Sequence, residues 1–131
     1  MEGKELISPE YTHRLLACAY AVHTTLGPGL LESIYEKALT YELRINGFQV
    51  EGQLPVKVVY KGLELDHEMR LDMVVDRQVI IEIKTVQEVK PVHYKQLLTY
   101  MRLMDIKLGY LINFEEASLK DGIHRVVNEF W

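Results

Sequence analysis

Residues 63–85 read LELDHEMRLDMVVDRQVIIEIKT, and apolar and charged side chains alternate along both halves of this segment. A period of two predicts β-strands, one over residues 63–75 and a second over residues 79–85. We expect residues 76–78 to form a three-residue loop that joins them into a hairpin. That loop pairs apolar residues with each other on one side of the hairpin, namely Val75 with Val79, Met73 with Ile81, and Leu71 with Ile83.

The other side of the predicted hairpin carries charged residues. The same register places Asp72 opposite Glu82, with Lys84 two residues further along. Two carboxylates opposed across a strand pair repel each other, whereas a divalent cation between them would remove the repulsion. The alternative is a solvent-facing side on which Lys84 neutralises both acids. The hairpin pattern by itself leaves both interpretations open.

Helical and strand patterns extend on both sides of the hairpin. Ser8-Pro9 is typical of a helix N-terminus, and Gly27-Pro28-Gly29 predicts the end of that helix. The elements predicted outside the hairpin are helices over Pro9–Leu26, about Leu31–Asn46 and Pro91 to about Ile106, and strands over Val56–Tyr60, Leu108–Phe114 and Ile123–Val127. This order predicts an α/β sandwich, in which helices flank a central mixed β-sheet.

Length and composition limit the class of protein. The 131 residues, 48% hydrophobic and 26% charged, predict a single domain over residues 1–131. One cysteine, Cys18, excludes a disulfide framework, and no apolar run approaches the length of a membrane span. The first residues do not read as a signal peptide, so we expect a soluble, cytoplasmic protein without a membrane partner. The sequence carries no signal for an oligomer, although one is possible.

The net charge of −4 bears on the partner. It argues against a protein that binds phosphate by non-specific attraction. It does not exclude an enzyme that cleaves nucleic acid, because acids that bind metal ions count toward the same total.

Three motifs resemble those of the PD-(D/E)xK nuclease superfamily. Asp72 followed by the triplet 82–84, Glu-Ile-Lys, resembles its catalytic signature. Residues 29–35, GLLESIY, resemble the motif that names the GxxExxY proteins, a small bacterial and archaeal branch of the superfamily. Residues 96–100, QLLTY, are similar to the QxxxY motif of exonuclease-like branches. The resemblance runs from about Tyr11 to Phe114, departs from the signature at Leu71 in place of Pro, and implies a restriction-endonuclease-like fold.

The resemblance implies a metal-dependent phosphodiesterase. Asp72, Glu82 and the backbone carbonyl of Ile83 would bind Mg²⁺ or Mn²⁺, and Lys84 would steady the nucleophile or the developing charge. The expected function is hydrolysis of DNA or RNA, with nucleic acid as the partner. The alternative is a nuclease-fold protein that binds nucleic acid, or serves as an adaptor, without turnover.

Residues on two helices are further candidates. By helical spacing, Gln96 and Tyr100 border the apolar stripe of their helix, with His93 on the same flank. The resemblance implies that Gln96, Tyr100 and Tyr35 contact substrate, with His93 ranked below them. The alternative for Gln96 and Tyr100 is an ordinary helix boundary, where a tyrosine buries its ring and exposes its hydroxyl.

Glu32 is the acid of the GxxExxY motif. At about 100° per residue, one side of its helix is apolar and another forms a polar, solvent-facing arc. The apolar side comprises Ile34, Ala38, Tyr41 and Ile45, and the polar arc comprises Ser33, Lys37, Thr40 and Arg44. Glu32 lies outside that arc, between Leu39 and Leu43. We expect it to reach the metal site as a further ligand, directly or through water; the alternative is an acid that only stabilises the helix N-terminus.

Overall fold

The computed structural model describes residues 7–65 and 69–128, so the predicted strand residues 66–68 lie outside the described part of the chain. Three helices and seven strands are present there, with a short 3₁₀ turn at Leu119–Gly122. The helices are α1 (Pro9–Leu26), α2 (Glu32–Ile45) and α3 (Pro91–Met104). The strands are β1 (Val50–Pro55), β2 (Val58–Tyr60), β3 (Leu63–Leu65), β4 (Arg70–Val75), β5 (Val79–Lys84), β6 (Leu108–Asn113) and β7 (Ile123–Val127).

A five-stranded sheet of order β1-β4-β5-β6-β7 forms the centre of the fold. Strands β5 and β6 are parallel and joined through α3, whereas the other neighbours are antiparallel. Helices α1 and α2 pack on one face of the sheet, and α3 packs on the other, which we call the α3 face. The predicted mixed sheet flanked by helices is confirmed. No helix within residues 7–65 and 69–128 combines the length and the hydropathy needed to cross a bilayer.

The predicted hairpin register is confirmed next to its loop. Met73 pairs with Ile81 and Val75 with Val79 around the loop 76–78. The register holds because a slip of one residue would exchange the two faces of each strand.

The single long strand predicted over residues 63–75 is wrong. Strand β3 instead pairs with β2 in a separate two-stranded sheet, while β4 lies in the central sheet. Lys61 and Gly62 both have positive φ angles, and the tight turn they form folds β3 back onto β2. Strand β1 was not predicted as an element of its own, because among its residues only Val50 is fully buried and its alternation is weak.

The alternation of β4 changes at Asp72. Leu71 was predicted to share a side with Met73 and to face Ile83, but it packs in the core on the α3 face. Met73 and Ile83 pack on the opposite face, against α1 and α2. The main-chain pairing of β4 with β5 ends at Met73 and Ile81. Strict alternation cannot anticipate this local break, which lies beside the charged residues.

Helix α2 buries a different side from the apolar one described above. Its buried residues are Tyr35, Leu39 and Leu43, which follow each other at intervals of four. Ile34, Tyr41 and Ile45 are 41%, 67% and 59% exposed. Both stripes are apolar, so helical periodicity cannot rank them, and contact with the sheet decides which one is covered.

Helix boundaries follow the predicted signals closely. Helix α1 begins where predicted, because the Ser8 hydroxyl accepts a hydrogen bond from the Tyr11 N–H. It ends at Leu26, before Gly27 with a φ of +68°. Helix α3 ends two residues earlier than predicted, because Asp105 adopts the left-handed conformation.

Candidate active site

Asp72 and Glu82 interlock where strands β4 and β5 stop pairing through their main chains. The Asp72 N–H donates to Glu82 Oε2 at 3.1 Å, and the Ile83 N–H donates to Asp72 Oδ2 at 2.8 Å. Each carboxylate therefore accepts a hydrogen bond from a main-chain N–H of the opposite strand. The two acids are brought together by these hydrogen bonds, since the main-chain pairing of β4 with β5 does not extend to them.

Burial makes ionisation of this pair costly. Glu82 is only 7% exposed, and burial followed by the Asp72 charge raises its pKa from 4.5 to about 8. Burial also raises the pKa of Asp72, although the Ile83 N–H and the Lys84 charge oppose that shift. Two close, buried carboxylates without a cation thus favour a shared proton near neutral pH.

The donor set fits a divalent cation such as Mg²⁺. A cation between the carboxylates would let both ionise, and Mg²⁺ sites use one or two carboxylates completed by water and phosphate oxygens. Within residues 7–65 and 69–128, no three His, Cys, Asp or Glu side chains are arranged to hold a metal ion. Among these residues, Glu32 is therefore not arranged with Asp72 and Glu82 as a third direct carboxylate ligand.

Two acids of α2 face the same region. Glu32 is exposed, yet its negative charge contributes to the raised pKa of both Glu82 and Glu36. Burial first, and then the Asp72 and Glu32 charges, raise the pKa of Glu36. Sequence reasoning missed Glu36, although its position four residues after Glu32 puts both on one side of the helix.

Gln53 of β1 is a second residue that the sequence analysis missed. Its Nε2 donates to Glu36 Oε2 at 2.7 Å, and its side chain opposes the rise in the Asp72 pKa that burial causes. No sequence motif pointed to it, because it becomes a neighbour of Asp72 only when β1 pairs with β4.

Helix α3 brings Gln96 and Tyr100 to the α3 face of the acid pair. Tyr100 is 5% exposed, and burial, then the Glu82 and Asp72 charges, raise its pKa. The Gln96 side chain opposes that rise in the Tyr100 pKa. Alternation along β5 places Glu82 on this same face, so the two predicted residues lie near the acids.

His93 and Asn113 have structural contacts. His93 Nδ1 accepts a hydrogen bond from the Lys90 N–H at 3.0 Å, so it caps α3. Asn113 is fully buried, and its amide binds both the N–H and the carbonyl of Val86. It thereby anchors the chain just after Lys84, at the end of β5.

A family model described as the PD-(D/E)XK nuclease superfamily matches residues 9–126. The chain belongs to this superfamily. The match begins with α1 and reaches into β7, so it includes the whole central sheet and the acid pair. No curated protein and no solved structure matches the chain.

Tyr35 of this PD-(D/E)XK protein lies on α2 in the core, beside the end of β6. It is fully buried and stacks on Phe114 with ring centroids 4.7 Å apart. Its hydroxyl donates to the Gly27 carbonyl and accepts from the Leu30 N–H. These contacts give Tyr35 a packing role, and its expected contact with substrate stays a prediction. Its side chain fixes the loop that starts α2, because a buried hydroxyl needs hydrogen-bond partners.

Replacing Tyr35 with Phe is expected to lower the free energy of unfolding by about 1–3 kcal/mol. The change leaves the Gly27 carbonyl and the Leu30 N–H without the partner that the hydroxyl provides. Urea unfolding measures the effect, and Tyr41→Phe is the control, because Tyr41 is 67% exposed. Equal stability of the two variants would contradict the structural role.

Proposed function

We propose that this protein is a divalent-metal-dependent nuclease that hydrolyses phosphodiester bonds in DNA or RNA, as a single domain. The observation that carries the proposal is the interlocked pair formed by the half-buried Asp72 and the buried Glu82, with Lys84 following Glu82 in the same strand. The superfamily match supports a nuclease-type function in general. A buried acid pair with raised pKa values is also typical of a functional site rather than of a stabilising surface.

The proposed roles divide between the metal and the chain. When bound, Mg²⁺ or Mn²⁺ supplies Lewis-acid polarisation of the scissile phosphate and a water acidic enough to attack it. Asp72 and Glu82 hold the cation, with the Ile83 carbonyl as a further ligand. The positive charge of Lys84 opposes the rise in pKa of both Asp72 and Glu82, which supports placing Lys84 at the same site. We assign it to the developing charge on the phosphate.

Gln96 and Tyr100 are proposed to contact the substrate. Both side chains can donate hydrogen bonds, and Gln96 and the two acid charges all act on the pKa of the Tyr100 hydroxyl. Donors beside a metal site suit phosphate oxygens, which position a nucleic acid without reading its sequence.

We also propose that the chain falls in the GxxExxY branch, on residues 29–35. The hydroxyl of Tyr35 secures the loop before α2, and Glu32 then stands in the first turn of that helix. In this arrangement Glu32 approaches the cation through water rather than as a direct ligand.

Replacing Glu32 with Gln is expected to weaken Mn²⁺ binding about tenfold, because a water-mediated carboxylate near the cation is lost. Calorimetric titration measures the affinity. The matched control is Glu10→Gln, because Glu10 also lies in the first turn of a helix. Its neighbour Tyr11 donates a hydrogen bond to Asp76 in the hairpin loop, and not to the acid pair. The proposed role of Glu32 is wrong if the two variants bind Mn²⁺ equally well.

The function is tested by calorimetry with Mg²⁺ and Mn²⁺, followed by cleavage of labelled single- and double-stranded DNA and RNA. We expect metal binding and metal-dependent cleavage of at least one substrate. Binding of metal and nucleic acid without cleavage would instead support a binding module. If the protein neither binds nor cleaves, the proposal is rejected and an adaptor is favoured. The exposed Tyr41 and Ile45 of α2 offer an apolar surface for that role.

A further inference from the structure

Gln53 has a backbone conformation that residues other than glycine rarely adopt. Its φ is +48°, in the left-handed region. The pairing of β1 with β4 is interrupted at this position, since Gly52 pairs with Met73 and Leu54 with Leu71, while Gln53 and Asp72 do not pair. The sheet thus departs from regular geometry beside the acid that the proposed function needs most.

The side chain of Gln53 connects two acids from different elements. Its Nε2 donates to Glu36 on α2 at 2.7 Å, and its side chain also acts on the Asp72 carboxylate of β4, where it opposes the rise in pKa that burial causes. An amide nitrogen carries two hydrogens, so one group can donate to two carboxylates. The Gln53 carbonyl accepts from Arg70 Nη1 at 3.2 Å, which holds the backbone on the other side.

Groups on both neighbouring strands act on the Asp72 carboxylate. On the β5 side it accepts the Ile83 N–H. On the β1 side Gln53 lies opposite Asp72, between the pairs Gly52–Met73 and Leu54–Leu71, and its side chain opposes the rise in the Asp72 pKa that burial causes. We propose that Gln53 is a positioning residue, which orients the Asp72 carboxylate toward the site between β4 and β5. Its importance for a bound cation rests on the proposed function, but the orientation of Asp72 does not.

The positive φ of Gln53 helps to distinguish a positioning role from a merely structural one. If the chain needed only the left-handed turn, glycine would serve better, because it adopts a positive φ without strain. Strain of this kind is kept where the surrounding contacts require it, and it is common at functional sites. The contacts of Gln53 that reach the acids are made by its side chain, which glycine lacks.

Two variants and a control test the proposal. Gln53→Met keeps the length of the side chain and removes the amide, and Gln53→Gly removes both the amide and the strain. Lys61→Gly is the control, because Lys61 has a φ of +50° in the turn between β2 and β3. The three measurements are hydrogen exchange of the Ile83 amide, calorimetric affinity for Mn²⁺, and urea unfolding.

Both Gln53 variants are expected to exchange the Ile83 amide several-fold faster and to bind Mn²⁺ about tenfold more weakly. Gln53→Gly should nevertheless unfold at no lower urea concentration than the wild type, since its backbone strain is relieved. Lys61→Gly should leave both the exchange rate and the Mn²⁺ affinity unchanged. Loss of metal affinity without loss of stability is a result that a merely structural role would not produce.

Unchanged Ile83 exchange in both Gln53 variants overturns the positioning role, whatever the metal does. If the wild type binds no Mn²⁺, the proposed function fails, and Ile83 exchange still decides the role of Gln53. If Gln53→Met does not fold, Gln53→Gly carries the test alone, because the glycine is compatible with the backbone at this position.

Discussion

Asp72→Asn and Glu82→Gln are each expected to lower kcat/KM for nucleic-acid cleavage at least about 100-fold, while the protein stays folded. Each change removes a charge that the proposed cation requires. The fold should survive because an amide oxygen can still accept the N–H of Ile83 or of Asp72. The measurement is cleavage of a labelled oligonucleotide at saturating Mg²⁺.

The control for these two variants is Glu64→Gln. Glu64 forms an exposed ion pair with Lys57 in the small sheet, and such pairs contribute little to stability. This variant should cleave like the wild type. Cleavage by Asp72→Asn at the wild-type rate would show that the acid pair is not the catalytic site.

Without metal, the free energy of unfolding is expected to fall by several kcal/mol as the pH rises from about 5 to about 8. The pKa of Glu82 is about 8 in the folded protein against 4.5 for an ordinary glutamate. Between these values the folded state keeps a proton that the unfolded state has released, so higher pH favours unfolding. Each unit of raised pKa corresponds to about 1.4 kcal/mol. The raised pKa of Asp72 acts in the same direction.

Urea unfolding in a chelator across this pH range measures the effect, and Glu82→Gln isolates it. The variant should lose much of the pH dependence and should be more stable than the wild type at pH 8, since the costly charge is absent. Excess Mg²⁺ should stabilise the wild type more at pH 8 than at pH 5, because the cation competes with protons for the carboxylates. Parallel pH profiles for the wild type and Glu82→Gln would contradict the assignment.

Local signals in the sequence determined the hairpin and the helix ends. The pairing of Met73 with Ile81 follows from alternation, because any odd slip would turn apolar residues toward water. Ser8-Pro9 and Gly27 set the bounds of α1 through capping and backbone preference. The same register predicts that Asp72 and Glu82 lie close together, but side-chain bonds to the main chain, and not strand pairing, join them in the structure.

Only the tertiary structure decided which apolar surfaces are covered and which residues join the site. Periodicity finds two apolar stripes on α2, and packing on the sheet selects the one that contains Tyr35. Gln53 and Glu36 reach Asp72 because β1 lies beside β4 and α2 packs over them. Those contacts join residues that are far apart in sequence. They could not be predicted, because the periodicity of one segment predicts its secondary structure but not which elements pack against it. The break in alternation at Asp72 has the same origin, since its carboxylate bonds the main chain of another strand.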